Sequence, residues 1–161
     1  MASVRAHTNL NLFLAERALD GLETGAFQTH WGEHSELLAL DTAVFRLQVA
    51  YRSHLADLCE QKQLTLRPQS AVEAKALIEA QNEFVPEILE LVEREQTQSW
   101  LSALLEEDFL PAAAVVGTVD GVDLIARSDD LDSLRSPETL RAIAAELKAL
   151  FVRHRETQQE Y

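Results

Sequence analysis

The sequence predicts an all-α bundle of five or six helices built around a long central second helix. Three observations carry that expectation. Apolar residues recur at steps of three and four along most of the 161 residues, the spacing of one helical face. Only five glycines and four prolines punctuate the chain, too few for a many-stranded sandwich or barrel. With 47% apolar and 25% charged residues, the composition is that of a folded domain rather than a disordered segment. The length suits one helical domain over residues 1–161, able to bury a core without a disulfide framework or a structural metal.

In the first helix, expected over residues 8–24, Leu12, Ala15, Leu19 and Leu22 share one stripe. Gly21 and Gly25 loosen the pattern, and residues 26–34 read as a connector. Ser35 is the expected cap of the second helix, over 35–63. Its first stripe is Leu37, Leu40, Val44, Leu47, Tyr51 and Leu58, with His54 on the same seam; Leu38, Phe45, Val49 and Ala56 form a second stripe beside it. So wide an apolar arc predicts a helix touched by several neighbours.

Arg67-Pro68 stops the chain, and Ser70 with Glu73 has capping-box spacing for a short third helix to 80. Pro86 opens a fourth helix to 95, with Val85, Ile88, Leu89 and Val92 inward and Glu83, Glu87 and Glu90 outward. A fifth helix from 97 or 98 presents Trp100, Leu101, Leu104 and Leu105 and ends before Pro111. Residues 115–126 are the one strand-like stretch, because Asp120-Gly121 suits a tight turn between valine-rich arms. A hairpin there must pack on the helices, pair with another chain, or remain a loop. Ser136-Pro137-Glu138 then opens the last helix, to 158, with Leu140, Ile143, Leu147 and Leu150 inward and His154 next on that seam.

The formal net charge of −13 is uneven: residues 82–132 hold 13 acidic and 2 basic side chains. Nucleic acids and anionic membranes are bound through lysine and arginine, so neither is an expected partner. No apolar run has the length of a signal-peptide core or a membrane span, which gives a cytoplasmic expectation. Cys59, the one cysteine, sits in an apolar helical pattern and reads as a small buried hydrophobe. No cofactor is expected, since no glycine-rich dinucleotide loop, Walker lysine loop or G-x-S-x-G elbow occurs.

Three constellations are candidates for function. His30, Glu33 and His34 fit the H-x-x-E-H pattern of a metal-dependent hydrolase, but Gly32 and the expected cap at Ser35 put them in a connector, and no third ligand is identified. The metal reading is therefore the weakest of the three. Asp41, Gln48 and Arg52 stack along one line inside the apolar arc of the second helix. Polar groups there either meet partners such as Arg17 or Asn11 on the first helix, or line a cleft for a small molecule, with His54 nearby. Third, Glu83, Glu87 and Glu90 precede Phe109, Leu110, Val119 and Val122, an acidic rim beside apolar residues that suits a protein partner or a homodimer. This last reading leads: a non-enzymatic interaction module using residues 83–126, with a binder or enzyme between the first two helices as the alternative.

Thr8-Asn9 followed by Leu12-Phe13, the run Ala43-Val44-Phe45-Arg46-Leu47 leading to Leu58-Cys59, Pro86-Glu87, Ser99-Trp100-Leu101, and Leu147-Lys148-Ala149-Leu150 with Arg153 and Glu156 together resemble a gammaproteobacterial, pseudomonad-type domain-of-unknown-function family. The resemblance implies a small helical protein of the bacterial cytosol. It spans most of the chain apart from residues 111–132, and it lends no site residues, since none of these segments is a catalytic signature.

Overall fold

Four serines set where helices begin. The computed structural model describes residues 3–109 and 134–159, in which the chain forms α1 (Val4–Glu23), α2 (Gln28–Trp31), α3 (Ser35–Glu60), α4 (Ala71–Glu79), α5 (Pro86–Gln96), α6 (Trp100–Glu106) and α7 (Pro137–Gln159). Among the described residues there is no strand, and the architecture is an all-α bundle. Ser3 Oγ accepts from the Ala6 N–H at 3.1 Å and starts α1 a turn before the start expected at 8, because polar Arg5, His7 and Thr8 interrupt the apolar periodicity. Ser70 Oγ accepts from the Glu73 N–H at 3.1 Å, while the Glu73 carboxylate takes the Gln69 N–H at 2.7 Å. Ser99 and Ser102 form a reciprocal capping box at α6, and Ser136 Oγ accepts from the Thr139 N–H at 3.1 Å before Pro137.

Ser35 does not cap α3. A 3₁₀ turn, Gly32–His34, winds directly into the helix, and the Ser35 hydroxyl donates instead to Gln28 Oε1 at 2.8 Å. The connector expected over 26–34 is thus largely wound, and it folds back on α1. The Phe27 ring, tilted on Trp31 at 4.7 Å, covers Gly21 so closely that a Cβ there would lie 2.4 Å from it.

Three helices end in the same way. After α1 the Ala26 N–H reaches Gly21 O and the Gly25 N–H reaches Leu22 O; after α3 the Leu64 N–H reaches Cys59 O and Gln63 reaches Glu60; after α4 Glu83 reaches Ile78 and Asn82 reaches Glu79. This is the Schellman arrangement, and it demands a left-handed residue, supplied by Gly25 (φ 71°), Gln63 (φ 60°) and Asn82 (φ 58°).

Helix α3 is central, packing against α1, α4, α5, α6 and α7. Its Val44, Leu47, Tyr51, Leu55 and Leu58 are fully buried against Ala15 and Leu19 of α1, Ile78 of α4, Ile88 and Leu91 of α5, Leu101 and Leu104 of α6, and Leu140, Leu147 and Phe151 of α7. In α5 the fully buried leucine is Leu91, and Leu89 is half-buried. The second stripe of α3 departs from expectation. Ala56 is buried, but Val49 is half-buried, Leu38 is exposed and Phe45 is 47% exposed; Leu37, at the start of the first stripe, is exposed too. Among the described residues that flank is covered only in part, by Val4 and His7 of α1 and by the edge of Phe109, which leaves much of an apolar helix face open beside α1.

Residues 115–126, where a hairpin is expected, lie outside the described residues, as do Leu110, Val119 and Val122. No helix among the described residues is long and apolar enough to cross a membrane.

Candidate functional site

The open flank of α3 forms the floor of a cleft of about 550 Å³, within the ~300–1,000 Å³ common for small-molecule sites. Val4 and His7 of α1 form one wall, and Arg67, Pro68 and Gln69 of the α3–α4 connector form the other. Phe45, Val49, Arg52, Ser53 and Ala56 of α3 lie between them. The lining is mostly apolar and contains no carboxylate among the described residues, in a protein of net charge −13.

The polar groups of the cleft are not equivalent. Arg67 is committed: its Nη2 donates to Glu60 Oε1 at 3.1 Å and its Nη1 to Leu66 O at 2.8 Å. Gln69 Nε2 donates to Arg67 O at 3.3 Å. His7 Nδ1 and Ser53 Oγ share a hydrogen bond of 2.8 Å across the α1–α3 seam. Arg52 has no hydrogen bond or ion pair among the described residues, and its Nε is buried without a partner. The Nε–H of Arg52 is thus a buried donor without a protein acceptor, and a bound anion would give it a charge-assisted partner.

Ser53 and His7 are a hydroxyl and a base within hydrogen-bond reach, the first requirement for nucleophilic catalysis. The second requirement is a pair of oriented donors for a developing oxyanion. Ser53 lies inside α3, where helical hydrogen bonding occupies the neighbouring backbone N–H groups. The backbone beside Ser53 therefore supplies no free donors for an oxyanion.

Of the residues singled out on the second helix, the structure brings Arg52 to this cleft and sends the others elsewhere. Asp41 is paired with Arg135, which also binds Glu107. Gln48 is buried and donates to Leu104 O at 2.8 Å and Glu107 O at 3.1 Å, tying off the last turn of α6. Their partners are thus on α6 and before α7, while Asn11 of α1 instead accepts from Arg46 at 3.1 Å and Arg17 sits near Asp20 at 3.5 Å. His54 points away, into the core towards α7.

There it joins a buried chain. His54 Nε2 and His154 Nδ1 are 3.0 Å apart, His154 Nε2 is 3.1 Å from Glu90 Oε2, and the His54 ring stacks on Phe151 at 4.1 Å. Burial lowers His54 well below its ordinary value, and the charges of His154, Arg155 and Arg5 add to the effect. Burial also lowers His154, overriding the opposing pull of Glu90. At Glu90, burial works upward, but hydrogen bonds from His154, Arg94 and Arg153 outweigh it and hold the carboxyl below the usual range. These are neutral imidazoles beside a carboxylate, locking α3, α5 and α7 together.

The acidic stripe stays at the surface, with Glu83 exposed and Glu87 and Glu90 half-buried, but its carboxylates are paired. Glu90 serves α7 through His154 and Arg153, Glu87 accepts from the Thr157 hydroxyl at 2.9 Å, and Glu83 lies 3.7 Å from Lys62. A one-dimensional pattern cannot show that α7 brings cations to this face. Phe109 is 44% exposed and meets Phe45 edge-on at 6.4 Å, with the Arg135 guanidinium 5.7 Å from its ring centre.

His30, Glu33 and His34 are exposed residues split between α2 and the 3₁₀ turn, where Gly32 has φ 53° and no continuous helix aligns them. Glu33 and His34 are 3.7 Å apart, and no cluster of three or more metal-binding side chains occurs among the described residues. Cys59 is buried, and burial pushes its thiol up to about 11, with Arg67 opposing and Glu60 adding.

Sequence reasoning missed His7, Ser53, Arg67 and Gln69 as cleft residues, because they come from three elements with no shared spacing. The one available signal was Arg52 itself, a cation on an apolar face with no acid a helical turn away.

No curated protein and no solved structure matches the chain. The model of one family of unknown function, DUF6586, matches residues 1–161 from end to end, and the chain belongs to that family.

Proposed function

We propose that the protein binds a small amphipathic anion in the cleft between α1, α3 and the α3–α4 connector. The observation that carries this reading is Arg52, a guanidinium without a protein partner on the floor of a mostly apolar, carboxylate-free cleft. An apolar body would cover Phe45 and Val49, and its anionic group would complete the hydrogen bonding of Arg52. The test is binding of the fluorescent apolar anion anilinonaphthalene sulfonate to the folded chain. Arg52→Met should weaken it by about tenfold or more, the worth of a charge-assisted contact, whereas Arg67→Met should change it little, since Arg67 is already occupied. Equal dye affinity in the wild type and Arg52→Met would rule the reading out.

A second reading, a module for a protein partner or a second copy of the chain, draws on the half-exposed Phe45–Phe109 pair rather than on the glutamates of α5. It expects a dimer mass in light scattering, where the first reading expects a single chain.

A further inference from the structure

We infer that the anion is a monocarboxylate with a hydrocarbon body, an inference that rests on the cleft being a ligand site. The charge count inside the cleft supports it. Arg52 is the only guanidinium there, among the described residues, that is left without a partner. Arg67 has its two terminal nitrogens on Glu60 and Leu66, and the His7–Ser53 pair is satisfied internally. One planar guanidinium matches one carboxylate through two parallel N–H···O bonds. A phosphate monoester brings about −1.5 to −2 charges at neutral pH and would leave part of that charge desolvated without a cation. It would also be repelled more strongly by a chain of net charge −13. A sugar or other polyhydroxylated body is disfavoured by Val4, Phe45, Val49, Ala56 and Pro68, which offer it no hydrogen bonds.

The experiment is displacement of anilinonaphthalene sulfonate from the full chain at neutral pH by octanoate, octyl phosphate, octanol and octyltrimethylammonium. Octanoate should displace the dye at a concentration about tenfold or more below octanol, and Arg52→Met, assayed at a dye concentration matched to its own affinity, should erase that advantage. Ser53→Ala should leave the ranking in place. Octyl phosphate acting at or below the octanoate concentration would overturn the monocarboxylate assignment and leave the cleft as an anion site. Octanol matching octanoate would overturn it as well. Failure of all four to displace a dye whose binding depends on Arg52 would refute the hydrocarbon body, whereas a dye indifferent to Arg52 would refute the underlying site.

Discussion

A glutamine inside an apolar arc must find partners for its amide, and Gln48 finds them on the carbonyls of Leu104 and Glu107. Replacing it by leucine keeps the volume and strands two carbonyls at the end of α6. We expect Gln48→Leu to lower the unfolding free energy by about 1–3 kcal/mol in a urea titration, without a change of slope. A loss of only a few tenths would mean that water reaches those carbonyls. That Gln48 would be paired could be argued from the sequence; with whom could not, because α6 lies over 50 residues downstream and α-helical spacing has no long-range content. The same limit hid Arg135 as the partner of Asp41 and Glu90 as the partner of His154. That His54 and His154 face the core was easier to read, since both sit on seams of long apolar helices.

At the scale of elements, the sequence was most legible where a local chemical rule acts. Ser70, Pro86 and the Ser136-Pro137 pair start helices where expected, whereas α6 begins at Trp100 behind its Ser99 cap, two to three residues after the expected 97 or 98. Helix ends were less legible where an ordinary residue takes a left-handed conformation. Gly25 and Asn82 suit that role, but Gln63 does so against its own steric preference. Gln63→Gly should therefore stabilise the fold by about 0.5–1 kcal/mol, the relief of that conformation less the added freedom of the unfolded chain, and a thermal melt would show the gain. An unchanged or lower melting temperature would mean that the Gln63 side chain contributes contacts that offset its strain. The second stripe of α3 was misjudged for a different reason. Apolar spacing states what a face is able to bury, and whether another element arrives to cover it depends on the tertiary arrangement.

Acidity acts on the molecule as a whole. In the folded protein His54 and His154 bind protons less readily than their ordinary value of 6.5, so below that pH the unfolded chain takes up more protons and is favoured. Stability from this source is complete above about pH 6.5 and declines as the pH falls towards the lowered folded values. Glu90, held below its ordinary 4.5, gives stability that is present above that pH and is lost as the pH falls through its folded value. Melting temperatures should thus fall in two stages on acidification. In His54→Phe, which keeps a ring against Phe151, the upper stage should shrink while the lower one persists. An unaltered upper stage would assign that loss to other groups.

Because the other long helices converge on α3, the molecule is organised like spokes fixed to a single axle. The chain should resist division: a fragment without residues 35–60 would retain surfaces with nothing to lie against. Substitutions on the axle's buried side are felt in several spokes at once. The flank left open among the described residues is the place where sequence can drift without loosening the rest.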